Sequence, residues 1–269
     1  ACGSRHEVSK DYKMRAIGAN PGFTQIDFTK NILFLDISDP MIAEKQIAKP
    51  QKEDPIIKIE PTNIRLVATS DTRFGNQGIS GTLNPPQMRE PVYRRLLTAL
   101  EHLPDYVGIA VFEGYRPLNV QRQYFQNKLA ELSSKSSVSD EVSKDSLISS
   151  ASKWVANPDG KLVPPHSTGA AVDVRLYQIN QKDSSFEFLN SGSFGTIFGS
   201  NPHPETFSNT ELSENQIENR MLLLTAMTKA GFVNYSKEYW HYSWGDQTAA
   251  HVLGESKAQY GAVSPGSEP

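Results

Sequence analysis

Residues 170–177 (AAVDVRLY) predict a buried β-strand, and a carboxylate stands in the middle of it. Asp173 lies between Val172 and Val174. Burying an ionised carboxylate is costly unless it is paired or bound to a metal ion. The fold must therefore bring a positive charge to this strand. Arg175, on the same face of the strand, is one candidate, and a metal ion is the other.

The composition excludes several classes of protein. Among 269 residues there is one cysteine, Cys2, so an internal disulfide is impossible, and a metal site would need histidine and carboxylate ligands. Lys and Arg number 27 and Asp and Glu 30, which argues against a general nucleic-acid-binding protein. Apolar runs such as 32–35 and 221–224 are much shorter than the about 20 residues of a transmembrane helix.

The first residues, ACGS, have two interpretations. A lone cysteine followed by small polar residues is typical of a bacterial lipoprotein after signal cleavage. An acyl chain at Cys2 would then anchor the protein to a membrane without a spanning segment. This predicts a periplasmic or cell-envelope location, with a cytoplasmic one as the alternative. A cloning junction explains the same residues equally well.

The pattern of apolar residues predicts a single α+β domain. Helices are expected over residues 91–103, 118–132 and 214–230, with Gly231 ending the last of them. Strands are expected over residues 31–36, 62–69, 106–112 and 170–177, followed by a hairpin of 232–235 with 240–244.

The remaining segments are assigned by position and composition. We expect residues 1–60 to form an N-terminal extension packed on the core, and residues 61–269 to form one catalytic domain. Residues 132–152 are rich in serine and predict either a solvated surface helix or a mobile insertion without a chemical role. Residues 178–209 predict a long loop, and the tail 249–269 is expected to be peripheral.

Two of the six histidines have informative surroundings. His166 lies in a loop of Pro, Ser and Gly, seven residues before Asp173, and His241 lies between Trp240 and Tyr242. Two histidines and one aspartate supply three ligands and leave a fourth position for water. That arrangement is typical of a catalytic zinc site.

Two further charged residues suit the chemistry of such a site. Glu238, three residues before His241, is a candidate general base for a metal-activated water. Arg116, at a strand-to-helix junction, could stabilise a developing oxyanion. Each residue also has a structural explanation: His166 as a turn cap, His241 as a packed histidine, Glu238 as a turn residue and Arg116 as a surface charge.

Three segments resemble, in the same order, the zinc D-alanyl-D-alanine dipeptidases, which belong to the zinc DD-peptidases acting on peptidoglycan peptides. They are 114–117 (GYRP), 166–173 (HSTGAAVD) and 238–242 (EYWHY), within a resemblance that covers residues 106–246. The resemblance implies an α+β fold of the hedgehog/DD-peptidase type, with a central antiparallel sheet and flanking helices. It also implies one Zn²⁺ held by His166, Asp173 and His241, with Glu238 as general base and acid and Arg116 stabilising the transition state.

The resemblance also implies a small peptide substrate, D-Ala-D-Ala or a stem peptide. Candidate substrate contacts are Tyr115, Ser167 and Trp240. Pro164 stands where the dipeptidases often have a serine that helps to hold the substrate's amino group. Candidates for binding that amine are Asp183, Glu187 and Glu205.

Two other functions fit the same residues. A zinc DD-carboxypeptidase or endopeptidase would use the site on longer stem peptides. A non-catalytic zinc-containing module would only bind cell-wall peptides, although such a module has no need of Glu238 or Arg116.

Overall fold

A mixed β-sheet lies at the centre of the fold. The structure is a computed structural model and describes residues 46–47, 54–60, 63–69, 83, 85–135, 143–192, 212–235 and 238–264. The strands in chain order are β1 (Gln46–Ile47), β2 (Ile56–Lys58), β3 (Leu66–Ala68), β4 (Gln87–Arg89), β5 (Val107–Glu113), β6 (Ala171–Ile179), β7 (Phe186–Phe188), β8 (Val233–Asn234), β9 (His241–Ser243) and β10 (Lys257–Ala258). The helices are α1 (Glu90–Leu100), α2 (Leu118–Lys135), α3 (Lys144–Ser152), α4 (Glu214–Lys229) and α5 (Gln247–Val252).

The order of strands in the central sheet is β3-β5-β6-β9-β8, and β7 pairs with the far half of β6. Strands β3 and β5 run parallel, and the other neighbours are antiparallel. The predicted α+β class with a central antiparallel sheet and flanking helices is therefore confirmed, with one parallel pair at the edge. Strand β7 lies within residues 178–209, for which the sequence predicts a loop, so that prediction is wrong for this short segment.

Helices α1 and α4 pack on one face of the sheet. Apolar residues recur along α1 at Val92, Leu96 and Leu100, and they share a buried cluster with alternate residues of β6. Helix α4 begins with a capping box in which the side chains of Ser213 and Gln216 each accept a hydrogen bond from the other residue's backbone N–H. It is followed by Gly231 at φ +87°, as the sequence predicts.

Strand β6 divides its side chains between two faces. Val172, Val174 and Leu176 enter the core with α1 and α4. Because side chains alternate along a strand, Asp173 points to the opposite face. Its register partners are Glu113 on β5 and His241 on β9.

Helices α2 and α3 form a second, smaller apolar cluster. Its buried members come from both helices and the turn that follows α3: Val120, Tyr124, Phe125, Ala151 and Val155. The Ser-rich segment 132–152 therefore includes a helix that is anchored by a buried face. Its polar composition reflects the other faces of α3, which are exposed.

The expectation of a peripheral tail is wrong for residues 249–264. Helix α5 buries Ala249 and Ala250, and β10 pairs in parallel with β1. Tyr260 and Val263 are also buried. This part of the tail contributes to the folded core through these buried side chains, although Leu253 is exposed.

Some expectations lie outside the described residues, among them the strand at 31–36 and the lipid at Cys2. The domain boundary at residue 60 and the cell-envelope location stay predictions. Among the helices that the structure describes, none combines the length and apolarity needed to cross a bilayer.

Substituting Gly114 tests how closely β4 approaches the end of β5. A Cβ at Gly114 would lie 2.1 Å from the carbonyl oxygen of Gln87. We expect Gly114→Ala to lower the free energy of unfolding by about 1–3 kcal/mol, measured by denaturant titration. The control is Gly160→Ala in an exposed turn, expected to change stability by about 0.5 kcal/mol or less. Equal stability of the two variants would contradict the prediction.

Candidate metal centre

A carboxylate oxygen and two imidazole nitrogens converge on one point at the end of β6. The Oδ1 atom of Asp173 lies 3.0 Å from Nδ1 of His241 and 3.3 Å from Nε2 of His166. Asp173 and His241 meet because they are register partners on neighbouring strands. All three side chains are buried, Asp173 with only 3% of its surface exposed.

His166 is positioned by a short 3-10 helix, Pro165–Thr168, which ends at Gly169 with φ +71°. Its Nδ1 lies 2.9 Å from the carbonyl oxygen of Gly114. A carbonyl can only accept, so Nδ1 carries the proton and donates to it. In the neutral ring, the lone pair of Nε2 then points towards Asp173.

These donors fit a zinc ion. With zinc–ligand distances of about 2.0–2.1 Å, tetrahedral ligands lie about 3.3 Å apart. The two distances from Asp173 Oδ1, 3.0 and 3.3 Å, are close to that value. Facing lone pairs repel one another unless a proton or a cation lies between them. The donor set is therefore one that a cation stabilises.

The electrostatics of the cluster agree with this interpretation. Burial alone would raise the pKa of the Asp173 carboxyl, but the two histidines outweigh burial and hold that pKa well below its usual range. Burial alone would lower the pKa of His241, but the hydrogen bond and charge of Asp173 outweigh it and raise that pKa. Asp173 is thus kept as an anion that requires a positive partner.

A tight turn connects Glu238 to His241. The backbone N–H of His241 donates to the carbonyl oxygen of Glu238 over 3.2 Å, and the side chain of Asn234 donates to the same oxygen. The Glu238 side chain lines the cavity that contains the three donors. The structure therefore places the predicted base beside the predicted ligands.

Arg116 lines the same cavity. Its backbone N–H donates to the carbonyl oxygen of His166 over 3.0 Å, so the arginine and the histidine are tied by their main chains. Arg116 is 8% exposed, and its guanidinium forms an ion pair with Glu113. The alternative explanation, a surface charge at the start of α2, is wrong because Arg116 is buried.

One wall of the cavity comes from a segment to which the sequence assigned no chemistry. Residues 152–156, at the end of α3 and after it, line the cavity together with Gln121, Tyr124, Pro164, Tyr235 and Thr248. A possible signal was the pair Trp154 and Tyr124, since aromatic side chains often line ligand pockets. Without the fold, neither residue can be assigned to the site.

The three candidate substrate contacts lie in the core rather than in the cavity wall. Tyr115 packs with Ile56 and Val263, and Ser167 is 1% exposed. Trp240 belongs to the main core and contacts Tyr239 edge to face. All three side chains are buried next to a predicted functional residue, and a direct contact with the substrate stays a prediction.

The candidates for binding the substrate amine also differ from expectation. Glu187 pairs with Gln178, five residues along β6 from Asp173, or about 16 Å at about 3.3 Å per residue. Asp183 accepts hydrogen bonds from Ser185 in an exposed turn near β7. Both lie away from the cavity, and Glu205 lies outside the described residues.

Arg175 does not neutralise Asp173. Its guanidinium carbon lies 3.2 Å from the ring centroid of Phe188 on β7. Of the two candidate partners for Asp173, the structure therefore favours the histidine cluster and a metal ion.

Comparison with known proteins agrees with the geometry. The chain matches the Peptidase M15 family, described as D-ala-D-ala dipeptidase, over residues 94–259, which is more than half of its length. A D-alanyl-D-alanine dipeptidase of Synechocystis sp. is 29% identical over 200 residues, covering 67% of this chain and 80% of that protein. One from Enterococcus faecium is 27% identical over 151 residues, covering 52% of this chain and 63% of that protein.

A solved structure of VanYB in complex with D-alanine-D-alanine is also similar, at 16% identity and a TM-score of 0.39. The match covers 77% of this chain and 87% of that one. Similarity at this level is too weak to support an argument about the fold or the function.

Removing a donor tests the metal centre. Loss of a residue that contacts a metal ligand weakens metal binding about 10–100-fold. We expect His166→Ala and Asp173→Ala, which remove the ligands themselves, each to weaken zinc binding by more than this. The control is His102→Ala, because His102 lies outside the cluster. The zinc content of each variant is measured by mass spectrometry after dialysis against a chelator. If all three variants retained as much zinc as the parent, the assignment would be contradicted.

Proposed function

This chain belongs to the D-Ala-D-Ala dipeptidase family of zinc metallopeptidases, and from that premise we propose that it hydrolyses D-alanyl-D-alanine to two molecules of D-alanine. One observation carries the proposal: three metal donors, a carboxylate and a guanidinium line a single cavity. A site that only bound a peptide would not need Glu238 beside the metal donors.

His166, Asp173 and His241 would hold the ion through Nε2, Oδ1 and Nδ1. Zinc bound there supplies a Lewis acid that activates water near neutral pH. The outer contacts of the ligands keep each donor atom in place. Gly114 accepts from Nδ1 of His166, and Ser243 Oγ lies 3.4 Å from Nε2 of His241. Such partners set the orientation of metal-binding histidines.

Glu238 would move the protons of the reaction. Its carboxylate accepts a proton from the attacking water as the water oxygen bonds to the carbonyl carbon. It then delivers that proton to the amine nitrogen as the C–N bond breaks, so the carboxylate is regenerated. Glu238 is partly exposed at the cavity, which allows it to reach both water and substrate.

Arg116 would stabilise the negative charge that develops on the carbonyl oxygen. A guanidinium held in a buried wall interacts strongly with such a charge, because little water is present to screen it. Its charge also suits the substrate's carboxylate, and the kinetic effect of a substitution separates these two roles.

A specific observation supports a second candidate, a DD-carboxypeptidase acting on stem peptides. Among the described residues that line the cavity, the carboxylates are Asp173 and Glu238, and both already have roles. Pro164, which stands where the dipeptidases often have a serine, also lines the cavity. A dipeptide has a free amine next to the scissile bond that a stem peptide lacks, and no further carboxylate among the described lining residues is available to pair with it.

Replacing Glu238 tests the assignment of the base. We expect Glu238→Gln to lower kcat for D-Ala-D-Ala by about 10²–10⁴-fold while the protein retains zinc, because the amide cannot accept the proton. The matched control is Glu101→Gln, an exposed residue after α1, which should leave kcat unchanged. Hydrolysis by Glu238→Gln at the parent rate would exclude Glu238 as the base.

A competition experiment separates the two peptidase functions. The zinc-loaded protein is offered equal amounts of D-Ala-D-Ala and a pentapeptide that ends in D-Ala-D-Ala, and products are followed by mass spectrometry. We expect the dipeptide to be consumed first. Equal or faster loss of D-Ala from the pentapeptide would instead support the carboxypeptidase, and failure to cleave either would contradict both.

A further inference from the structure

The guanidinium of Arg116 is held from two sides by buried side chains. Its Nε donates to Oε1 of Glu113 over 3.0 Å, and its Nη1 donates to Oε1 of Gln121 over 2.7 Å. Glu113 is 6% exposed and Gln121 is 1% exposed. Two donor directions define the plane of a guanidinium, so these bonds fix both its position and its orientation.

Burying the carboxylate of Glu113 at this position costs free energy. Burial raises the pKa of its carboxyl, and the charge of Arg116 opposes that effect. Buried ion pairs contribute little to stability on average, since the loss of hydration offsets the attraction between the charges. A role in the site therefore explains Glu113 better than a role in folding.

Gln121 connects this contact to the wall of the cavity. Its Nε2 donates to the carbonyl oxygen of Ala156 over 2.6 Å. Ala156 belongs to the segment 152–156 that lines the cavity. One side chain on α2 thus bonds both to the guanidinium and to the wall beside which the substrate would lie.

We propose that Glu113 and Gln121 are positioning residues that aim the guanidinium of Arg116 at the scissile carbonyl. This inference rests on the proposed function, in which Arg116 stabilises the transition state. Neither residue needs to touch the substrate, because both act through Arg116. Their loss should therefore lower kcat far more than it changes KM.

The test compares variants that remove the contact with one that keeps it. Hydrogen bonds to charged groups are strong enough that we expect Gln121→Met and Glu113→Met to lower kcat about 10–100-fold, with KM within about threefold of the parent. Glu113→Gln keeps an oxygen acceptor for Nε and should restore most of kcat. Zinc content and Tm of each variant show whether it is folded.

A double-variant cycle separates positioning from direct contact. If Gln121 acts through Arg116, adding Gln121→Met to Arg116→Met should change kcat by less than about twofold. If Gln121→Met lowered kcat by the same factor in Arg116→Met as in the parent, the proposal would be overturned, because Gln121 would then act independently of Arg116. An unchanged kcat for both Gln121→Met and Glu113→Met would also overturn it.

Exchange of the Arg116 Nε–H with solvent, measured by nitrogen-15 NMR, tests the contact without relying on activity. We expect slow exchange in the parent and faster exchange in Glu113→Met. If Glu113→Met does not fold, the exchange rate in Glu113→Gln is compared with that in the parent instead. Equally fast exchange in the parent and the variants would overturn the proposal. Slow exchange in a parent that hydrolyses neither peptide would instead contradict the proposed function and leave the contact in place.

Discussion

The buried carboxylate of Asp173 is the constraint on which the rest of the site depends. It lies on the central strand β6, opposite the face that packs on α1 and α4. A shift of one residue in the pairing of β6 with β9 would turn this anion into the core and separate it from His241. The register of the sheet and the geometry of the donors are therefore set together.

A second constraint connects the two halves of the site. His166 donates from its ring to the carbonyl oxygen of Gly114, and its own carbonyl accepts from the backbone of Arg116. These reciprocal bonds join the loop before β6 to the loop after β5. The backbones of His166 and Arg116 are consequently held together, and the side-chain contacts of Arg116 with Glu113 and Gln121 then place its guanidinium.

Much of this site can be predicted from the sequence, because some of its residues stand in sequence surroundings where they are rarely found without a function. A carboxylate in an apolar strand needs a cation, and this requirement predicts a metal site formed by Asp173 with His166 and His241. The contacts of Arg116 with Glu113 and Gln121 could not be predicted, since they depend on a bulge in β5 and the start of α2. Tyr115, Ser167 and Trp240 show the limit of such reasoning: each is next to a predicted functional residue in the chain, yet its side chain is buried in the core.

The separation of α2 and α3 into their own apolar cluster has a consequence for how such a protein can change over generations. The wall formed by residues 152–156 is supported mainly by that small cluster, whereas the metal donors are supported by the large core. Substitutions in the helical pair that spare Gln121 can therefore reshape the pocket while the metal donors keep their support. The shape of this wall and the geometry of the metal donors can thus change separately over evolution, and Gln121 is the side chain that connects the wall to Arg116.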